Sequence, residues 1–350
     1  MNQSALEKEY YNNIDKSFFK HQLEILKEPT LIKFKKILLS YTLFNIIFGL
    51  IISLEITYFF IHLTFLIQSF VMAIYLALII ATTFCYFTLK MYAQTRKVEE
   101  LLQLKNDFLA KCRETIDLAE GVPESHQILA EASCELAAEI HGQEYKIKSC
   151  PNWCLFLSSS IEKLNCWCFW SDIHFMKEIL LQACIEEHIK IVRLEPTDLE
   201  AHAGLANAYV MLSGLYVDPR TIEELDEDEW IPPNKYNESF KLKFRSIAER
   251  AIEEFKILSD YAPHDPWVHA QLAYSYRDLQ MPLEEIKEYE TMIQLCPEDK
   301  DILFKLGQLY FEQGRNAKGL KIYETLKHSN YKKAENLIHY YGAYSISTHS

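Results

Sequence analysis

Four cysteines fall within 19 residues, as Cys150-Pro-Asn-Trp-Cys154 and Cys166-Trp-Cys168. Four thiolates can hold zinc tetrahedrally. The usual hooks for such a site are C-x2-C pairs, whereas this spacing is C-x3-C followed by C-x-C. The surrounding stretch, 143–171, also carries Trp153, Trp167 and Trp170. That company suits cysteine as a small buried apolar residue, and leaves a zinc- or redox-responsive module as the alternative reading. A disulfide here is disfavoured if the stretch faces a reducing cytoplasm. His174 and Glu178 stand at i and i+4, with Asp172 and His188 in reach of the same argument, but the pattern reads as one helix with a polar boundary. The chain has no Gly-rich phosphate loop, no G-x-S-x-G and no H-E-x-x-H. No catalytic residue, cofactor or small-molecule substrate is therefore expected, and the chain reads as a non-enzyme. A net charge of −13 argues against nucleic acid as a partner. Cys85, Cys112, Cys134, Cys184 and Cys296 are scattered and suggest no role of their own.

The elements that carry these residues follow a period. Leu194-Glu-Pro196-Thr-Asp198, Tyr261-Ala-Pro263-His-Asp265 and Leu295-Cys-Pro297-Glu-Asp299 place their prolines 67 and then 34 residues apart. Leu272, Ala273 and Tyr276 return as Leu306, Gly307 and Tyr310, and Tyr289 returns as Tyr323. Such a period is the signature of a helical repeat array. Each unit reads as two helices. A small residue in the first lets the second approach, a large aromatic in the second (Phe255, Tyr289, Tyr323) fills the gap, and proline ends it. The Asp two residues later is the expected N-cap of the next helix. His202 and His269 occupy equivalent positions, which predicts a packing role.

These residues resemble the tetratricopeptide repeat family over residues 172–327, with 300–327 matching best through Leu306, Gly307, Tyr310, Gly314 and Tyr323. The family's first-helix Trp is replaced by His202, His269 and Leu303, and its second-helix small residue is Ala251 in one unit but Glu285 and Gly319 in others. An inserted loop, 215–239, interrupts the first full unit between a helix near 198–214 and one near 240–260. It carries the acidic run 223–229, read as a solvated loop, with a docking segment for a basic partner as the alternative. The resemblance implies a protein-interaction array whose concave face is built by first helices. The matching positions are Asn207, Val210, Met211, Tyr274, Arg277, Asp278, Lys305, Gln308 and Phe311. Ala203 and Ala270 stand where the family's chaperone-tail clamp has Lys, and only Lys305 fits. The groove is therefore expected to take an extended or helical peptide through apolar anchors.

From Ile37 to Leu89 there is one formal charge, Glu55, and one histidine, His62. A spanning helix needs about 20 apolar residues, so the stretch suits two spans, near 37–54 and 64–89, with a turn around Glu55–His62. Lys33, Lys35 and Lys36 precede the first span, and Lys90, Arg96 and Lys97 follow the second. The positive-inside rule then predicts both termini in the cytoplasm. The polar head, 1–36, is too long and too acidic for an ordinary cleaved signal. The bilobed hydrophobicity is similar to that of chlamydial inclusion membrane proteins, a topological resemblance over 37–89 that implies a secreted inclusion-membrane-type protein as a third reading.

The expected layout is all-α. A polar segment (1–36) and a two-span transmembrane hairpin (37–89) lead to a stalk or divergent repeat (90–142). Its opening helix is marked by Leu101, Leu104, Phe108, Cys112 and Ile116 at helical spacing. The Cys/Trp-rich insert (143–171), a TPR-like α-solenoid (172–327) and a capping helix and tail (328–350) follow. The expected function is a membrane-anchored adaptor for another protein or peptide.

Overall fold

The computed structural model describes residues 16–62, 70–115, 121–145, 147, 158–221, 232 and 235–342. Among these no strand occurs. The α-helices are α1 (Lys16–Ile61), α2 (Val71–Thr115), α3 (Pro123–Ile140), α4 (Ser158–Leu194), α5 (Leu199–Gly214), α6 (Glu238–Tyr261), α7 (Pro266–Asp278), α8 (Pro282–Leu295), α9 (Lys300–Glu312), α10 (Asn316–His328) and α11 (Ala334–Leu337). The described residues form two compact units. One reaches to Glu187 and includes Pro232 and Lys235; the other holds the rest from His188 onward.

In the first unit α1 and α2 lie against each other. Both are long and apolar enough to cross a membrane. Leu43, Ile47, Leu50, Leu54, Ile74, Leu78, Ile80 and Phe84 point outward from this pair. Between the helices Phe48 meets Tyr86 at 5.6 Å and Tyr58 meets Tyr75 at 5.5 Å. Glu55 does not end the first helix, contrary to the turn expected at Glu55–His62. Thr82 Oγ1 donates to its carboxylate at 3.0 Å and Tyr75 Oη to its carbonyl at 3.3 Å, and α1 runs on to Ile61. The boundaries read at 36/37, 89/90 and 171/172 fall inside α1, α2 and α4, so the apolar hairpin, the stalk and the Cys/Trp stretch continue into their neighbours as unbroken helix. Leu23, Phe34, Leu38, Leu101, Leu104 and Phe108 are buried in this unit. Ion pairs between distant residues help tie it together, among them Lys27–Glu135 at 3.0 Å and Lys97–Asp172 at 2.6 Å.

The second unit is a TPR-like α-solenoid, in which α5–α6, α7–α8 and α9–α10 pack as consecutive antiparallel pairs. The caps fall where the Pro-x-Asp spacing placed them. Asp198 accepts from the amides of Glu200 and Ala201, Asp265 from Trp267, and Asp299 from Asp301 and Ile302. Each such cap is worth about 1 kcal/mol. His202 and His269 make equivalent latches. Each ring reaches a glutamate on the second helix (Glu254 at 2.6 Å, Glu288 at 2.7 Å) and the carbonyl of the preceding proline (Pro196 at 3.1 Å, Pro263 at 3.0 Å). Burial opposes a charge on His202, but the bonds to Glu254 and Pro196 outweigh it and raise its pKa.

Small residues set the helix spacing. A Cβ built on Gly319 would lie 2.6–2.9 Å from the Phe311 ring, and one on Gly307 would meet Leu337 at 2.8 Å and Ile322 at 3.0 Å. Gly319→Ala pits a helix-propensity gain of about 1 kcal/mol against an overpacking penalty of about 1–3 kcal/mol, against an aromatic ring that is itself fully buried. A net loss of stability is expected, read as a lower thermal midpoint; a midpoint at or above that of the parent would show that the ring yields.

Candidate functional site

The most distinctive polar arrangement in the second unit sits between α7, α8 and α9. An open cleft of about 400 Å³ is lined by Arg277, Gln280, Glu285, Tyr289, Lys305, Gln308 and Glu312, among others. Its floor comes from α8. Glu285 is 4% exposed and Tyr289 2%. The Tyr289 hydroxyl has no hydrogen-bond partner, and no hydrogen bond or ion pair from a described residue reaches the Glu285 carboxylate. Buried polar groups are normally paired, so the unpaired Tyr289 hydroxyl, beside Glu285 on the floor of an open cleft, marks a place where a ligand can supply what the protein does not.

Electrostatics sharpen the point. Burial pushes the Glu285 carboxyl from its ordinary 4.5 up to about 7; Arg277 and Lys305 pull the other way, while Glu312 and Asp278 add to the rise. Burial and Glu285 together push the Tyr289 hydroxyl up to about 12. At the mouth, the Arg277 guanidinium lies 5.2 Å and the Lys305 ammonium 5.3 Å from the centre of the Tyr274 ring, and such contacts contribute about 0.5–1 kcal/mol at exposed sites. Gln308 is held by Glu312 at 2.8 Å. Gln280 is left-handed (φ 57), at a position whose repeat equivalent, Gly314 (φ 70), is a glycine. Arg277 and Gln280 also wall a second hollow of about 740 Å³, bounded by Tyr216, Lys241, Phe244 and Arg245.

The structure brings together some of the expected groove residues and separates others. Tyr274, Arg277, Lys305 and Gln308 meet at the first cleft, and Asp278 faces the second. Asn207, Val210 and Met211 are exposed on α5 but line neither. Phe311 is a correction. It is fully buried against Leu326, Ala334 and Leu337. It stands one repeat after Arg277, and at the end of the array the C-terminal residues cover what is open groove in the inner unit. Glu285 and Tyr289 were not among the expected site residues. The signal was in the chain: Glu285 stands where the repeat pattern calls for a small residue.

The other candidates disperse. Cys166 is buried and Cys168 exposed; at i and i+2 of one helix two side chains do not face one point. Cys150, Cys154 and the acidic run 223–229 lie outside the described residues. Among the described residues no group of three or more His, Cys, Asp or Glu could hold a metal ion. His174 stacks on Trp170 at 4.8 Å, whereas His188, fourteen residues on, packs over Gly204.

No protein-family model matches the chain, and no curated protein does. Among solved structures, it is similar to two monomeric mutants of IFIT1, one with Gppp-AAAA and one with m7Gppp-AAAA. Each match has a TM-score of 0.33 and 13% identity, covers 71% of this chain and spans 61% of the other. A likeness that loose transfers neither site nor ligand. The solenoid description rests instead on the paired helices and their recurring caps.

Proposed function

We propose that this chain is a membrane-anchored protein–protein interaction scaffold, and that its TPR-like array docks an extended peptide in the cleft between α7, α8 and α9. The observation that carries this reading is the unpaired Tyr289 hydroxyl beside the buried residue Glu285 on the floor of an open cleft. A peptide bringing an N–H or O–H donor satisfies both groups, and Tyr274 between two cations offers it an aromatic wall. The reading needs neither a catalytic residue nor a cofactor. Membrane anchoring is supported by the outward apolar side chains of α1 and α2. On a soluble protein they would form a far larger exposed patch than monomers tolerate. The Lys and Arg flanks support a cytoplasmic location for both termini.

One preparation tests both parts. In sealed, right-side-in vesicles, residues 91–350 resist added protease if the array is cytoplasmic; their digestion reverses the orientation. In parallel, crosslinking from detergent extracts is compared between the parent and Tyr274→Ala/Lys305→Glu. An aromatic anchor of this kind contributes about 2 kcal/mol, so capture through the cleft should fall more than tenfold. Undiminished capture of the same species by the double variant places docking elsewhere.

A further inference from the structure

Two cysteines that the chain holds fifty residues apart meet in the first unit. Cys134 on α3 and Cys184 on α4 have their sulfurs 2.8 Å apart, only ~0.8 Å beyond the length of a disulfide bond. Both are free thiols. A second contact between the same two helices, His126 Nδ1 to Glu187 Oε2 at 2.5 Å, holds them in register, its members lying N-terminal to Cys134 on α3 and C-terminal to Cys184 on α4. The two sulfurs also differ in access: Cys184 is 1% exposed, whereas Cys134 is only partly buried.

We propose that Cys134 and Cys184 are a redox-modification site, a dithiol that closes reversibly into an inter-helix disulfide by exchange with a small-molecule disulfide such as oxidised glutathione. Cys134 reacts first, because it is the accessible member. The Cys134 thiolate attacks one reagent sulfur, the reagent's S–S bond breaks, and one reagent thiolate leaves. Cys184, already in contact, then gives up its proton and attacks the Cys134 sulfur, releasing the second. Two protein thiols are oxidised, one reagent disulfide is reduced to two thiols, and the two protein protons end on them. Thiolate exchange of this kind is governed by thiolate fraction and access. Cys112 is an internal contrast, since it is fully buried and burial alone pushes its thiol up to about 12.

The test uses the full chain in detergent, equilibrated across ratios of reduced to oxidised glutathione, then alkylated and mapped by peptide mass. The expected result is a cross-linked peptide pair containing Cys134 and Cys184, lighter by two hydrogens, that reverts with reductant. Cys184→Ala should instead trap Cys134 as its glutathione mixed disulfide. Because that replacement alters the core, Cys134→Ala, at the more accessible position, carries the test independently: it should abolish the cross-link and leave Cys184 unmodified. Recovery of both cysteines alkylated from oxidised, folded protein overturns the proposal, as does pairing of either one with another cysteine.

Discussion

Phe311→Ala lowers the stability of the repeat array by about 3–5 kcal/mol, the usual range for emptying a fully buried aromatic site. The side chain is 0% exposed and is the centre of the terminal cluster with Leu326, Ala334 and Leu337. Gly319 beneath it is already without a side chain, so collapse of α10 onto the vacated space is limited to the movement of a helix backbone. Neighbouring units of a repeat array are coupled mainly through their shared faces. The loss should therefore concentrate in α10 and α11, where hydrogen exchange accelerates first, and the denaturant midpoint of the detergent-solubilised protein should fall. An unchanged midpoint would mean that the end of the array is held by something other than this ring.

Glu285→Gln should act in the opposite direction, and only over part of the pH range. The folded carboxyl titrates near 7 and the unfolded one near 4.5. Between those values the folded state holds a proton that the unfolded state has lost. Stability is therefore full below about pH 4.5, declines as pH rises through the window, and is flat above about 7. At roughly 1.4 kcal/mol per pH unit, the decline amounts to at most about 3.5 kcal/mol. Glutamine carries no such slope, so the variant should match the parent near pH 4.5 and exceed it at pH 8 in thermal midpoint. A parent curve that stays level between pH 5 and 8 would mean that the carboxylate ionises as freely as in water. Gained stability with lost docking is the pattern expected of a strained binding group.

Much of this fold was written in local chemistry. Proline stops, aspartate caps and the Leu-small-x-x-Tyr face are all short-range patterns, and the helices of the second unit begin within a residue or two of where those patterns put them. The site was legible only in outline. Register alone placed Arg277 and Phe311 on the same face, because they stand one repeat apart. What distinguishes them is whether further chain covers that face, which depends on where the array stops. Glu285 and Gly319 are likewise equivalent: the glycine admits the Phe311 ring, and the glutamate fills that volume and leaves Arg277 outside. The meeting of Cys134 with Cys184 had no sequence signature, since it depends on how two helices, separated by a connection without periodicity, lie against each other.

The helices of the first unit have a mechanical consequence. At 46 and 45 residues, α1 and α2 are each almost 70 Å long at ~1.5 Å per residue, more than twice the ~30 Å thickness of a bilayer's apolar core. The outward apolar stretch and the buried bundle residues Phe34, Leu101 and Phe108 belong to the same two rods. Both are continuous helix across the boundary between them, and the proline inside α1, Pro29, lies on the bundle side of it, so a tilt of the outward stretch carries into the bundle. If the pair spans a bilayer as proposed, a membrane that thins or thickens, and so tilts the hairpin to match, would swing the bundled end like the arm of a balance, turning bilayer thickness into displacement.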